Sequence, residues 1–305
     1  MGLPAQVSAQ YQYSEPIFGV VSPGIIQDTL LHLAIENEQY LSDLHGEAGC
    51  FKDTQIVEFV FLLAGKWNLT ESATYQAIEI FERYMIKILE EFSNLTLGKE
   101  EDSNWVSLKV QMENTYMLRL VSCIQLASKL SFYYKIVNNK MVLKFLKSLG
   151  FSYTTEELLE SELTILKTLH FQVNVPVPLA YVEVLLEVLG YNGYLLPTKE
   201  LHEMCKHLLS LSYLLRNNIY DALLKSSIEN PSPSKLQLAK FVSVKEDLML
   251  LAVGVIGASS FLLNHEDWNQ VVDYLNSTTG ISLQSITEAV YAILKHSLGN
   301  AVNGC

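Results

Sequence analysis

The sequence predicts an all-α fold made of two similar helical halves preceded by one further helix. Three observations lead there. Apolar residues recur at helical spacing from Gly24 onward, and no alternating run flanks a turn pair that would make a hairpin. Val175-Pro176-Val177-Pro178 cannot continue a helix, because proline lacks an N–H and pushes the residue before it into extended backbone; it divides the chain. A faint internal repeat relates the two sides. Ile124-Gln125-Leu126-Ala127-Ser128-Lys129 is similar to Ile256-Gly257-Ala258-Ser259-Ser260, and Ile165-Leu166-Lys167 matches Ile293-Leu294-Lys295.

The elements follow in order. Residues 24–44 form an amphipathic helix carrying Ile25, Ile26, Leu30, Leu33 and Ala34, which serves core packing or a partner contact. With the tail before it, this segment fills residues 1–50; the halves span 51–175 and 176–299, and 300–305 form a tail. Thr154 with Glu157, and Ser243 with Glu246, have the spacing of capping boxes. Thr70 before Glu71 and Thr198 after Pro197 are N-cap candidates, and Gly190 is a candidate helix stop. In both halves the third helix is nearly all apolar and rich in small residues, which lets neighbours approach it closely. Around residues 116–130 only Ser122, Gln125 and Lys129 make a polar stripe. Residues 248–263 are too few for a membrane span and read as a buried helix. Residues 225–241, with two prolines and several serines, read as a long inserted loop, either a partner site or a flexible segment.

Composition narrows the function. Hydrophobic residues make up 49% and charged residues 18%, so the chain has material for two cores. The net charge is −12 and only Arg83, Arg119 and Arg216 are arginines, which argues against a nucleic-acid surface. Cys50, Cys123, Cys205 and Cys305 form no C-x-x-C pair, and the seven histidines form no H-E-x-x-H or i, i+4 pair, so no metal or other cofactor is expected. Phosphate loops and nucleophile elbows are absent, and no catalytic residues are assigned. The N-terminus has no secretory pattern, and no membrane association is expected. Tyr133-Tyr134-Lys135 and the lysines of 140–147 make a mildly basic segment, solvated or in contact with an acidic partner.

The residues resemble a family at this point. Glu82-Arg83-Tyr84-Met85, Leu126-Ala127-Ser128-Lys129 and the segment 154–171, with its Leu-Lys-Thr-Leu-His-Phe ending, resemble the second, third and fifth helices of the first cyclin box. The second half resembles the more divergent second box. The resemblance implies a cyclin-like fold of two tandem five-helix boxes and a non-catalytic regulatory or adaptor protein. Segments 55–63, 118–123 and 156–163 resemble a branch of the cyclin family that acts in meiotic crossover formation. This implies a nuclear protein on meiotic chromosomes, with the cytoplasm as a second location, and partners among cyclin-dependent kinases and meiotic recombination factors.

Two sites follow. Glu162 falls on the apolar arc of its helix, between Leu158 and Leu166 and alongside Leu159, Leu163, Ile165 and Leu169, whereas Ser161 falls on the polar side. A carboxylate there needs a cation or a donor. In cyclins, the residues matching Lys129 and Glu162 meet the kinase's regulatory helix, so the resemblance implies a kinase or partner interface of Lys129, Glu162, Leu158 and Leu166. The second-half counterparts are Ser260 and Val290, so building a box does not require the pair. A purely structural ion pair is the other reading. The second site is a docking patch at Gln55, Ile56, Phe59 and Leu62, joined by Lys52, in which polar residues replace two apolar ones of the cyclin substrate groove. Asp53 stands where cyclins have an arginine and is expected to face Glu82, placing two like charges together. That missing lock points to the adaptor alternative, a cyclin fold without kinase activation linking recombination and ubiquitin-pathway proteins.

Overall fold

The computed structural model describes residues 17–96, 103–131, 136–193, 198–227 and 234–298. Among them lie thirteen helices and no strand. After α1 (Pro23–Ser42) come the five helices of the first half: α2 (Thr54–Trp67), α3 (Glu71–Thr96), α4 (Ser103–Leu130), α5 (Asn139–Ser148) and α6 (Thr155–Thr168). The second half holds α7 (Pro178–Tyr191), α8 (Thr198–Leu214), α9 (Arg216–Ser227), α10 (Lys235–Glu246), α11 (Leu248–Leu263), α12 (Trp268–Thr279) and α13 (Leu283–Ser297). It therefore carries seven segments against five. Leu215 alone separates α8 from α9, and α10 is an additional helix with no counterpart in the first half.

Each half is built around one apolar helix, the third helix of the first half and the fifth of the second, where α9 and α10 intervene. Leu120 through Ser128 of α4 are all buried, against α3, α5 and α6. Leu251 through Ser260 of α11 are likewise buried, against α7, α8, α12 and α13. Here the small residues decide how close the helices come. A Cβ on Gly257 would stand 2.7 Å from Val290 Cγ2, and one on Gly254 would stand 3.1 Å from Ala289 Cβ. Only glycine allows α13 to lie this near α11. The halves meet through α3 on α7 and α2 on α8, and the Tyr75 hydroxyl of α3 lies 3.0 Å from that of Ser210 on α8. The N-terminal helix packs on α7 and α11 of the second half through Ile26 and Leu33.

Several local expectations hold and several do not. Thr154 and Glu157 form a reciprocal capping box at α6, and Thr70 accepts from the backbone N–H of Ala73 at the start of α3. Ser243 caps nothing: it lies inside α10 and donates to the Lys240 carbonyl. The box there is Ser234 with Gln237, and Asp247 caps α11. The expected loop over 225–241 is mostly helix for the same reason, since α9 runs to Ser227 and the Ser234 cap starts α10; residues 228–233 lie outside the described residues. Gly190 does not stop α7, which continues to Tyr191; the left-handed glycine after it is Gly193.

Candidate docking face and the charged junction

Each rung of the α4 polar stripe meets a partner, although Gln125 Oε1 accepts no hydrogen bond. Ser122 lies 2.8 Å from the Ser161 hydroxyl of α6. Gln125 donates to the Val137 carbonyl at 3.0 Å and to Asn139 at 2.7 Å. At the solvent end, Lys129 Nζ lies 2.6 Å from both carboxylate oxygens of Glu162. Helical spacing on α4 and α6 makes this pair: Ser122 and Lys129 are two turns apart on one face, and they meet the adjacent residues Ser161 and Glu162. The Lys129 side chain remains 33% exposed and that of Glu162 12% exposed. Water screens the lysine end of the pair, so it contributes about 1 kcal/mol to folding, less than a pair buried at both ends.

The apolar residues around the pair differ from those expected. Leu158 is fully buried at 0% exposure and cannot reach a partner; Leu166 is partly buried against the core. Leu159 and Leu163 are 47% and 38% exposed. The core stripe of α6 runs through Leu158, Ser161, Glu162 and Ile165, so Ser161 is buried rather than on the polar side. The reason is physical: six apolar residues of α6 spread over a wide arc, and only the tertiary neighbours select which edge of that arc is covered. The exposed apolar flank of Glu162 is therefore Leu159 and Leu163. Phe132 and Tyr133-Tyr134-Lys135 lie outside the described residues; Lys140, Lys144 and Lys147 on α5 are exposed.

The α2 patch is not a continuous groove. Gln55 is exposed and Leu62 is 69% exposed, but Ile56 is buried and Phe59 packs towards Phe145, ring centroids 6.1 Å apart. Lys52, expected in the same groove, is fully buried at the end of the preceding turn.

Its destination is a charged junction that the sequence reading missed. Lys52 Nζ lies 2.7 Å from Glu79 of α3 and 2.8 Å from Glu246 at the end of α10. Arg216, the first residue of α9, meets the other oxygen of Glu246. Tyr40 of α1 donates to Glu246, and Tyr213 of α8 donates to Glu79, each at 2.9 Å. Two cations face two carboxylates, and the tyrosines fill remaining acceptor sites, which is what a buried ion group needs. The signal was present: Glu79 sits in the apolar run Ala77-Ile78-Glu79-Ile80-Phe81, and a buried carboxylate demands a cation.

Glu82 and Asp53 do not repel each other. Glu82 accepts the backbone N–H groups of Gly49 and Phe51 at 2.6 and 2.9 Å. Asp53 turns to α2 instead, as its N-cap, accepting from Gln55 and Ile56. Lys52, one residue before Asp53, supplies the ionic lock to α3. Burial pushes the Glu82 carboxyl up to about 7, although Lys52 opposes it. Burial also pushes Glu246 up, but Lys52 and Arg216 outweigh it and hold that carboxyl at about 2. For Lys52, burial favours the neutral form, yet Glu246 and Glu79 keep its pKa well above the ordinary lysine value. Among the described residues, no group of three or more His, Cys, Asp or Glu side chains is placed to hold a metal.

Comparison with known proteins gives a consistent result. The chain is 57% identical over 287 residues to Cyclin N-terminal domain-containing protein 1 of Mus musculus, covering 92% of this chain and 86% of that protein. It is 56% identical over 287 residues to the Homo sapiens protein of the same name, covering 92% and 87%. No protein-family model matches the sequence. The all-α architecture, its two tandem bundles and this identity agree, and the chain belongs to the cyclin N-terminal domain-containing protein 1 family.

Proposed function

We propose that this chain is a non-catalytic, cyclin-type regulatory subunit that binds a cyclin-dependent kinase and promotes crossover maturation in meiotic recombination. It works in the nucleus, on meiotic chromosomes. The observation that carries the kinase-binding part is the Lys129–Glu162 pair, whose lysine end is open to solvent at the end of α4, flanked by exposed Leu159 and Leu163. Its second-half counterparts, Ser260 and Val290, are buried inside the bundle. An ion pair that adds little to folding, sits beside open apolar side chains and occurs in one repeat alone suits a partner helix. The meiotic part rests on the resemblance of segments 55–63, 118–123 and 156–163 to the meiotic branch of the cyclins.

A second reading, a cyclin-fold adaptor linking recombination and ubiquitin-pathway proteins without activating a kinase, draws support from the α2 patch. Polar Gln55 and buried Ile56 leave no continuous groove there for a substrate peptide. The other argument for it, a missing ionic lock at α2, is removed by Lys52 and its two carboxylates.

The test is capture from germ cells with the wild-type chain and with Lys129→Glu, Glu162→Lys and Leu163→Asp. The proposal expects a kinase with wild type, and at least about tenfold less with each variant. Recovery of recombination factors with no kinase sinks the first reading. A kinase that comes down equally with the charge reversals shows that the face is wrong. A recovered complex with no stimulated kinase activity favours the adaptor.

A further inference from the structure

The segment before α1 is held in an unusual way. Glu187 of α7 accepts three consecutive backbone N–H groups, those of Gly19, Val20 and Val21. Gly19 has φ +81, and a Cβ there would stand 2.5 Å from the Gly190 carbonyl carbon, so only glycine lets the strap lie this close to α7. Phe18 sits edge-on to His202, ring centroids 5.2 Å apart. Behind the strap, α1 and α7 border a cavity of about 440 Å³ lined by Phe18, Val21, Ile26, Ala180 and Val184. One carboxylate therefore carries the backbone attachment of residues 19–21 to the second half.

The next residue is Ser22, followed by Pro23. Two Ser-Pro pairs occur in the sequence; the other, Ser232-Pro233, lies outside the described residues. Residues 20–25 are exposed without a break. Ser22 has extended backbone, φ −63 and ψ 141, as the residue before a proline must. Its hydroxyl makes no capping bond to α1. The N-cap side chains of Asp53, Asn138, Thr154, Ser234, Asp247 and Ser282, in contrast, are all engaged by backbone N–H groups. An accessible, idle hydroxyl on extended backbone before a proline is the chemistry that a proline-directed kinase takes.

We propose that Ser22 is a phosphoacceptor for a proline-directed serine kinase, and that its phosphorylation releases residues 17–21 from α7. Ser22 Oγ attacks the terminal phosphorus of a nucleoside triphosphate held by that kinase. The bond from that phosphorus to the bridging oxygen breaks, the diphosphate leaves with the electron pair, and the hydroxyl proton passes to the kinase's base. The new group carries nearly two negative charges one residue from Val21, whose N–H is bonded to Glu187. Like charges repel across that short path, and the strap gives way, while a phosphate at its N-terminus suits α1. Release opens the cavity against Ala180 and Val184.

The experiment treats the full chain with a recombinant proline-directed kinase and ATP, maps phosphate by mass spectrometry and follows backbone hydrogen exchange. Phosphate is expected on Ser22 in the wild type and in Ser232→Ala, and not in Ser22→Ala. With Pro23→Ala, modification of Ser22 falls about tenfold or more. Exchange at residues 19–21 rises about tenfold on phosphorylation, and Glu187→Gln raises it without phosphate. An unmodified Ser22 under conditions that modify a control Ser-Pro peptide overturns the site. Equal modification of Pro23→Ala also overturns it. Unchanged protection at residues 19–21 in the phosphorylated chain overturns the release.

Discussion

Two lysine–glutamate pairs in the first half show how burial divides structural from functional charge. Lys129–Glu162 and Lys52–Glu79 have nearly the same separation, 2.6 and 2.7 Å. Their surroundings differ. Lys129 is one-third exposed and its pair stands alone; Lys52 is buried and shared between two carboxylates, with Arg216 and two tyrosines completing the group. In water the first pair exchanges one set of partners for another at little net gain. The second cannot lose a member without leaving a charge in a medium that solvates it poorly. The junction therefore belongs to stability, tying α1, α3, α8, α9 and α10 together, and the surface pair is free to serve recognition.

The largest expected effect comes from breaking the junction. Glu246→Ala leaves Lys52 and Arg216 with half their countercharge and should destabilise by about 3–5 kcal/mol, read from urea denaturation midpoints. A loss under about 1 kcal/mol would mean that the group is solvated and the contrast false.

Titration sharpens the same contrast, because two carboxylates that feel the Lys52 charge, Glu246 and Glu82, move in opposite directions. Glu246, held at about 2, contributes stability that is present above the ordinary glutamate range and lost as pH falls towards 2. Glu82, raised to about 7 from 4.5, binds a proton more tightly folded than unfolded, so its ionisation costs stability as pH rises from about 4.5 to 7. The stability of the wild type relative to Glu82→Gln should therefore fall between pH 5 and 7.5, by up to about 3 kcal/mol. A gap that stays constant or widens in the wild type's favour would contradict the burial of Glu82.

Asp53→Ala is smaller but decisive in sign. If Asp53 faced Glu82 with like charge, removing it would stabilise the fold. As the N-cap of α2, its loss should destabilise by about 1 kcal/mol, checked by thermal unfolding. Smallest of all is the neutral Lys129→Gln, which should change folding stability by about 1 kcal/mol or less while weakening partner capture about tenfold. Equal damage to stability and binding would return the pair to a structural role.

Much of the helical layout was legible along the chain. The buried α11, the polar stripe of α4 and the Thr154–Glu157 box depend on residues within a few turns of one another, and local spacing carries that information. The α6 face was half legible: periodicity placed Glu162 on the packed side, but which leucines were covered depended on where α4 lies. The Ser243–Glu246 box failed because Glu246 had a stronger use 194 residues away, at Lys52. The α2 patch failed similarly, since Lys52 looks like a surface residue until Glu79 and Glu246 are brought around it.

By itself, then, the sequence determined the all-α fold class, the apolar central helices and a Lys–Glu pair that α4 and α6 can bring together. Tertiary structure alone decided which charges are buried, which leucines stand open beside Glu162, and that Glu187 holds the segment before α1. The physical reason is range. Helix periodicity and capping are written in residues three or four apart, whereas desolvation of a charge depends on every element that closes over it.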